Sequence, residues 1–297
     1  MSVRASTEGR PGLPARGARA HDPPGTFDAV RAWRALDGIV RREALRFLHQ
    51  RGRFLSALVR PLVWLFIFAA GFRSVLGVSI IPPYQTYVLY EEYIVPGLCA
   101  MILLFNGMQS SLSMVHDRET GSMRVLLSSP MPRWYLLCAK LVAGVAVALL
   151  QVYAFLGIAW FWDIRPPLAG YALVAPALVL AGLMLGALGL ALSSLVRQLE
   201  NFAGVMNFVI FPMFFASSAL YPLWKIRDSS EPLWWICRIN PFTHAVELVR
   251  FALYGELAPV AALVVTASTC AFLAAAVLGY DPLRGSLARR ERRPGAP

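Results

Sequence analysis

Apolar residues run in six stretches along this chain, at 58–77, 93–115, 136–160, 171–196, 201–220 and 258–280. Each is close to the roughly twenty residues that cross about 30 Å of hydrocarbon as a helix. A helix satisfies its own backbone polar groups, which lipid requires of any spanning segment. Ahead of these runs the rhythm differs. Ala29, Trp33, Leu36, Val40, Ala44 and Phe47 recur at steps of three and four and share one helical face, while Arg31, Arg34, Arg41, Arg42 and Arg46 populate the other. Such a helix suits an interface with anionic headgroups; by periodicity alone it also fits the surface of a soluble domain. The apolar run that follows at once favours the interface. The predicted fold is an all-α polytopic membrane protein of six transmembrane helices, with an N-terminal amphipathic interfacial helix.

Details within the runs sharpen the map. Arg60 and Arg73 sit near the ends of the first, where long basic side chains reach back to headgroups. Tyr84, Tyr87, Tyr90 and Tyr93 gather before and at the start of the second, and Trp160, Phe161 and Trp162 close the third, as aromatic belts do. Gly182 and Gly186 in the fourth form a small-xxx-small face for close helix approach. Between the fifth and sixth runs, 221–257 is too aromatic for a free loop and too polar in its middle for two more spans. Short helices that re-enter or lie at the outer face are predicted there, with 242–254 dipping inward after Pro241. The expected domains are a disordered tail at 1–26, an amphipathic connecting helix at 27–53, a six-span domain at 54–280 and an Arg-rich tail at 281–297.

Composition agrees with this pattern. The chain is 57% hydrophobic and 15% charged, against about 25% charged in a soluble domain. Its net charge of +11 raises nucleic acid as a partner, but the distribution argues against it. Residues 1–60, the 116–140 and 197–200 connections and the tail at 281–297 hold 22 basic and 10 acidic residues; the opposite side holds 6 and 7. The positive-inside rule therefore places both termini in the cytoplasm, as expected in a bacterial inner membrane. Cys99, Cys138, Cys237 and Cys270 are scattered without Cys-x-x-Cys spacing and read as small apolar residues.

The catalytic motifs of soluble and membrane hydrolases are missing. The sequence has no Gly-x-Ser-x-Gly, His-Glu-x-x-His or Walker A pattern, and its two lysines, Lys140 and Lys225, close no phosphate loop. No catalytic residue, metal site or bound cofactor is expected. Nor do the runs carry the chain of ionisable groups used by a proton-driven pump. If the protein transports, a partner supplies the energy. Asn106, Gln109 and Asn207 are polar positions inside the runs; they read either as contacts to a substrate or as interhelical hydrogen bonds. Phe211 and the residues after it either line a substrate path or pack between helices.

The 116–140 connection is unusual. His116, Asp117, Arg118 and Glu119 open it, Met123, Val125, Leu126 and Leu127 give it an apolar side, and Pro130 and Pro132 stop any helix. Apolar residues facing the cytosol need cover. Either the segment tucks against the ends of its own spans, or a partner docks on it.

Three motifs bear on that choice. DRETGSMRVLLSSPMPRW at 117–134, followed by LLCAK, resembles the cytoplasmic loop of ABC-2 type transporter permeases, where an acidic residue, Gly-Ser/Thr, leucines, proline and a basic residue recur before the third span. FPMFFASSALYPL at 211–223 resembles that family's fifth span and outer turn, and NPFTHAVELVR at 240–250 its Asn-Pro motif before the last span. The resemblance brackets most of 27–280. It implies an exporter in which two six-span subunits, as a homodimer, recruit two separate ABC ATPase subunits that carry the ATP and Mg. The loop would be the coupling helix. On this resemblance Glu119 and Arg133 are polar anchors, Met123, Leu126 and Leu127 the docked surface, and Gly121 a tight turn. Glu119 alternatively serves as a carboxylate at a helix start. Positions 111–115, 198–205 and 240–250 also resemble a bacterial subgroup found beside periplasmic alcohol-oxidation systems. The rivals are an importer, a membrane scaffold or assembly factor without a transport cycle, and a membrane enzyme.

Overall fold

The computed structural model describes Trp33, Arg34, residues 36–41, Leu45, and residues 51–72, 82–84, 88–120, 132–196 and 198–280. Its elements are helices: α1 (Arg51–Phe72), α2 (Tyr90–Glu119), α3 (Arg133–Phe161), α4 (Leu168–Leu195), α5 (Leu199–Phe215), α6 (Leu223–Ser229), α7 (Glu231–Ile239), α8 (Pro241–Leu253) and α9 (Pro259–Gly279). Residues 36–41 are also helical, with Leu36 and Val40 half-buried and Asp37 and Arg41 exposed. The predicted tails and residues 73–81 lie outside the described residues.

Six of these helices alternate in direction. At one end Glu119 meets Leu199 and Arg118 meets Tyr280; at the other Tyr90 meets Leu220 and Phe68 meets Tyr90. The end that carries the 120–132 connection is here called basal and its opposite distal. Among the described residues α2, α3, α4 and α9 are long and apolar enough to cross a membrane, and Leu58–Phe68 and Leu199–Phe215 are shorter apolar helices. The 30 residues of α2 rise roughly 45 Å, more than the about 30 Å of a hydrocarbon layer.

The core forms where small residues let backbones meet. A Cβ on Gly107 of α2 would lie 2.9 Å from the Gly186 backbone of α4, and one on Gly189 would lie 2.8 Å from the Gly107 carbonyl. The predicted small-residue face of α4 turns to α3, where a Cβ on Gly182 would meet Val145 and one on Gly186 would meet Leu141, while the Gly186 backbone and Gly189 take the close approach of α2. Arg60, exposed on α1, lays its guanidinium 3.9 Å over the Phe105 ring of α2.

The fifth run departs from its predicted extent of 201–220. Helix α5 stops at Phe215 and residues 216–221 form an irregular turn. Its 17 residues rise only about 25 Å. Pro212 removes one backbone donor from the last turn, and Ser217 Oγ donates to the Phe214 carbonyl at 2.6 Å while accepting the Ala219 N–H at 3.2 Å. The turn is sealed in protein, as irregular backbone at membrane depth must be. Ser217, Ser218, Ala219 and Leu220 are buried. The predicted short helices of 221–257 follow as α6, α7 and α8. Helix α8 turns inward, burying Phe242, Ala245, Val246, Val249 and Leu253, and packs on α2, α4 and α9.

Candidate functional site

Two polar constellations stand out, one at each end of the bundle. The distal one encloses the 216–221 turn. Tyr90 and Tyr93 of α2 donate their hydroxyls to the carbonyls of Leu220 (2.9 Å) and Ser218 (3.1 Å). Arg250 of α8, only 4% exposed, donates Nη2 to the same Ser218 carbonyl at 2.8 Å, with its guanidinium 4.1 Å from the Tyr93 ring centre. Asn240 supplies the remaining bonds. Its amide donates to the carbonyls of Met213 (2.8 Å) and Ala216 (2.7 Å), and its Oδ1 accepts the Phe242 N–H that opens α8. The Asn-Pro motif is thus a double cap: asparagine closes α5 and starts α8, and Pro241 occupies the first helical position where no donor is needed.

The basal constellation surrounds the end of α2. Lys140 of α3 is 8% exposed; its Nζ donates to Asp117 Oδ2 at 2.7 Å and to Met114 Sδ at 3.0 Å. Arg118 Nη1 donates to the Val196 carbonyl at 3.4 Å, and its guanidinium lies 4.8 Å from the Tyr280 ring centre. Tyr280 shares a 2.8 Å hydrogen bond with Ser193 Oγ. Glu119 Oε1 accepts the Leu199 N–H at 2.8 Å. This is a carboxylate at a helix start, but the helix is α5, eighty residues further along. Thr120 ends α2 by donating Oγ1 and its N–H to the His116 carbonyl.

The sequence-predicted residues fall in several places. Gly121, Met123, Leu126 and Leu127 lie outside the described residues, as does the Arg133 side chain; Arg133 is the first residue of α3. Asn106 donates its amide to Gln151 Oε1 of α3 at 2.6 Å, an interhelical hydrogen bond. Gln109 is half-buried on α2. Asn207 and Phe211 face outward from α5, where Phe208 is 79% exposed and the Phe211 ring stacks on Phe215 with centroids 6.3 Å apart. Sequence reasoning did not single out Lys140, Gln151 or Arg250 as structural keys. Each is a lone polar side chain in an apolar setting, and such residues are costly in lipid and are usually paired. That rarity was the available signal.

Comparison with known proteins fits this arrangement. The chain belongs to the ABC-2 type transporter family, whose sequence model matches residues 35–254. An Escherichia coli protein named "Probable multidrug ABC transporter permease YbhR" is 33% identical over 170 residues, covering 56% of this chain and 45% of that relative. The match therefore spans less than half of the relative's own length. A Porphyra purpurea protein named "Putative transport permease ycf38" is 25% identical over 224 residues, covering 73% of this chain and 72% of that protein. The Cyanophora paradoxa protein of the same name is 24% identical over 220 residues, with 72% of each chain covered. These names do not bear on the resemblance to the alcohol-oxidation subgroup. Family and apolar helices together make the chain a multi-pass membrane protein with a transport permease's architecture.

Proposed function

We propose that the chain is the permease subunit of an ATP-driven exporter, paired with a second copy and with two separate ATPase subunits, in a bacterial inner membrane. Both termini and the basal end then face the cytoplasm. ATP and Mg act on the partner, because this sequence holds no phosphate-binding loop. The 120–132 connection is the docking element, with Met123, Leu126 and Leu127 as the apolar surface and Gly121, Glu119 and Arg133 around it.

The observation that carries the reading is the bracing of this connection. Its start is tied to α3, α4, α9 and α5 by three consecutive charged residues. An idle loop has no need of such anchorage, whereas a segment that takes a push from outside the membrane must stand on a stiff base. The multidrug name of the Escherichia coli relative makes drug-like compounds the first substrates to try.

The test is purification of the chain from its native membrane in mild detergent, as wild type and as Leu126→Asp, with identification of what co-purifies. The reading expects a stoichiometric ATPase that is lost in the mutant while size-exclusion behaviour is unchanged. No ATPase in either sample, with co-expressed candidate ATPases also failing, would replace it with the scaffold reading.

A further inference from the structure

Three successive residues at the end of α2 serve three different helices. One step along an α-helix turns about 100°, so Asp117, Arg118 and Glu119 fan out. Asp117 goes to Lys140 of α3, Arg118 to the carbonyl that follows α4 and the ring that follows α9, and Glu119 to the first N–H of α5.

The three ties are unequal. Lys140 is buried, so separating it from Asp117 would strand a cation away from water. The Glu119 bond is exposed, a single charge-assisted contact to the positive end of the α5 dipole. Helix α5 is also lightly held at this end. Phe202 is buried, but Asn201, Ala203, Gly204, Asn207 and Phe208 are exposed. Helices α2 and α3 therefore form one lever, and α5 is the neighbour attached to its tip by a contact that is easily made and broken.

We propose that Glu119 is a positioning residue that passes movement of the 120–132 connection to α5 through the Leu199 N–H, while the Asp117–Lys140 pair keeps α2 and α3 moving together. This rests on the coupling role given to that connection and adds the route by which it reaches the bundle.

Leu199 allows the bond to be removed alone. It is the first residue of α5, a position that accepts proline. Gln198 before it already has φ −109° and ψ 136°, the extended backbone that a following proline requires. Leu199→Pro therefore deletes the donor, and Leu199→Ala removes the same side chain but keeps it. Glu119→Gln keeps an acceptor and Glu119→Ala removes it.

The experiment uses the full chain with its co-purifying ATPase in proteoliposomes, with labelled chains diluted by unlabelled ones. Nitroxides are placed at Gly204→Cys, where nothing lies within 4 Å of an added Cβ, and at Leu257→Cys, which is 92% exposed between α8 and α9. Cys138 and Cys270 are replaced by serine. Electron–electron resonance distances are compared without nucleotide and with vanadate-trapped ATP. A nucleotide-dependent shift is expected in the wild-type background, Leu199→Ala and Glu119→Gln. It is expected to vanish in Leu199→Pro and Glu119→Ala with the ATPase still bound, and the double variant should lose nothing more. Persistence of the shift in Leu199→Pro and Glu119→Ala overturns the joint and leaves coupling intact. Its loss in Leu199→Ala and Glu119→Gln as well overturns the hydrogen bond as the route. A wild-type background without ATPase bound, or without a shift, overturns the coupling reading and this inference together.

Discussion

The ammonium of Lys140 sits 2.7 Å from the Asp117 carboxylate, with 9% of the lysine side chain exposed and 35% of the aspartate. The pair joins α2 to α3 on either side of the 120–132 connection. Asp117→Asn would leave the lysine buried without a counterion, at a cost of about 3 kcal/mol, the low end for buried pairs because the aspartate is partly wet. Replacing both, as Asp117→Leu with Lys140→Met, removes the stranded charge and is expected to recover most of that loss. Thermal unfolding in detergent, followed by tryptophan fluorescence, checks the order: double variant above Asp117→Asn. Equal melting of Asp117→Asn and wild type would show the pair to be slack.

Asn240 tests the double cap. Asn240→Ala removes two donated bonds and one accepted bond, at roughly 1 kcal/mol each. A loss of about 2–4 kcal/mol is expected in unfolding experiments. Asn240→Asp keeps the acceptor for Phe242 but aims a carboxylate at the Met213 and Ala216 carbonyls, so it should be no better than alanine. Full stability in the aspartate variant would contradict the assignment.

Close packing of α2 on α4 predicts opposite outcomes at two glycines. Gly107→Ala drives a methyl into the Gly186 backbone, 2.9 Å away, and overpacking of this kind costs about 1–3 kcal/mol. Gly204→Ala meets nothing within 4 Å and gains up to about 1 kcal/mol of helix propensity. Melting temperatures of the two variants should move in opposite directions; a shared direction would mean that the α2–α4 approach is looser than described.

Arg250 guards the distal turn. Arg250→Lys retains charge but loses the planar group stacked on Tyr93 and aimed at the Ser218 carbonyl. The expected loss of local stability is about 1.5–3 kcal/mol, which should raise amide hydrogen exchange across 216–221 by at least about tenfold. Exchange elsewhere in α2 and α4 should change much less. Unchanged exchange in the turn would assign its closure to Tyr90, Tyr93 and Asn240 alone.

The helices themselves were written in local sequence. Long apolar runs with aromatic ends specify spanning helices because lipid leaves the backbone no other partner, and α2, α3, α4 and α9 appear within a few residues of their predicted bounds. The inward turn of α8 after Pro241 was legible for a similar reason, since proline fixes a start and apolar spacing fixes a face. The early stop of α5 was not. Pro212 and Ser217 give only a weak local stop, and the side chains that satisfy the carbonyls freed by it, Asn240 and Arg250, come twenty to forty positions later. The basal joint was half-legible. Charge and family resemblance picked out Glu119, but its partner is the backbone N–H of Leu199, and a backbone donor has no letter in a sequence. Periodicity assigns a residue to a face of its own helix; which helix stands opposite that face is decided only by the packing of all of them.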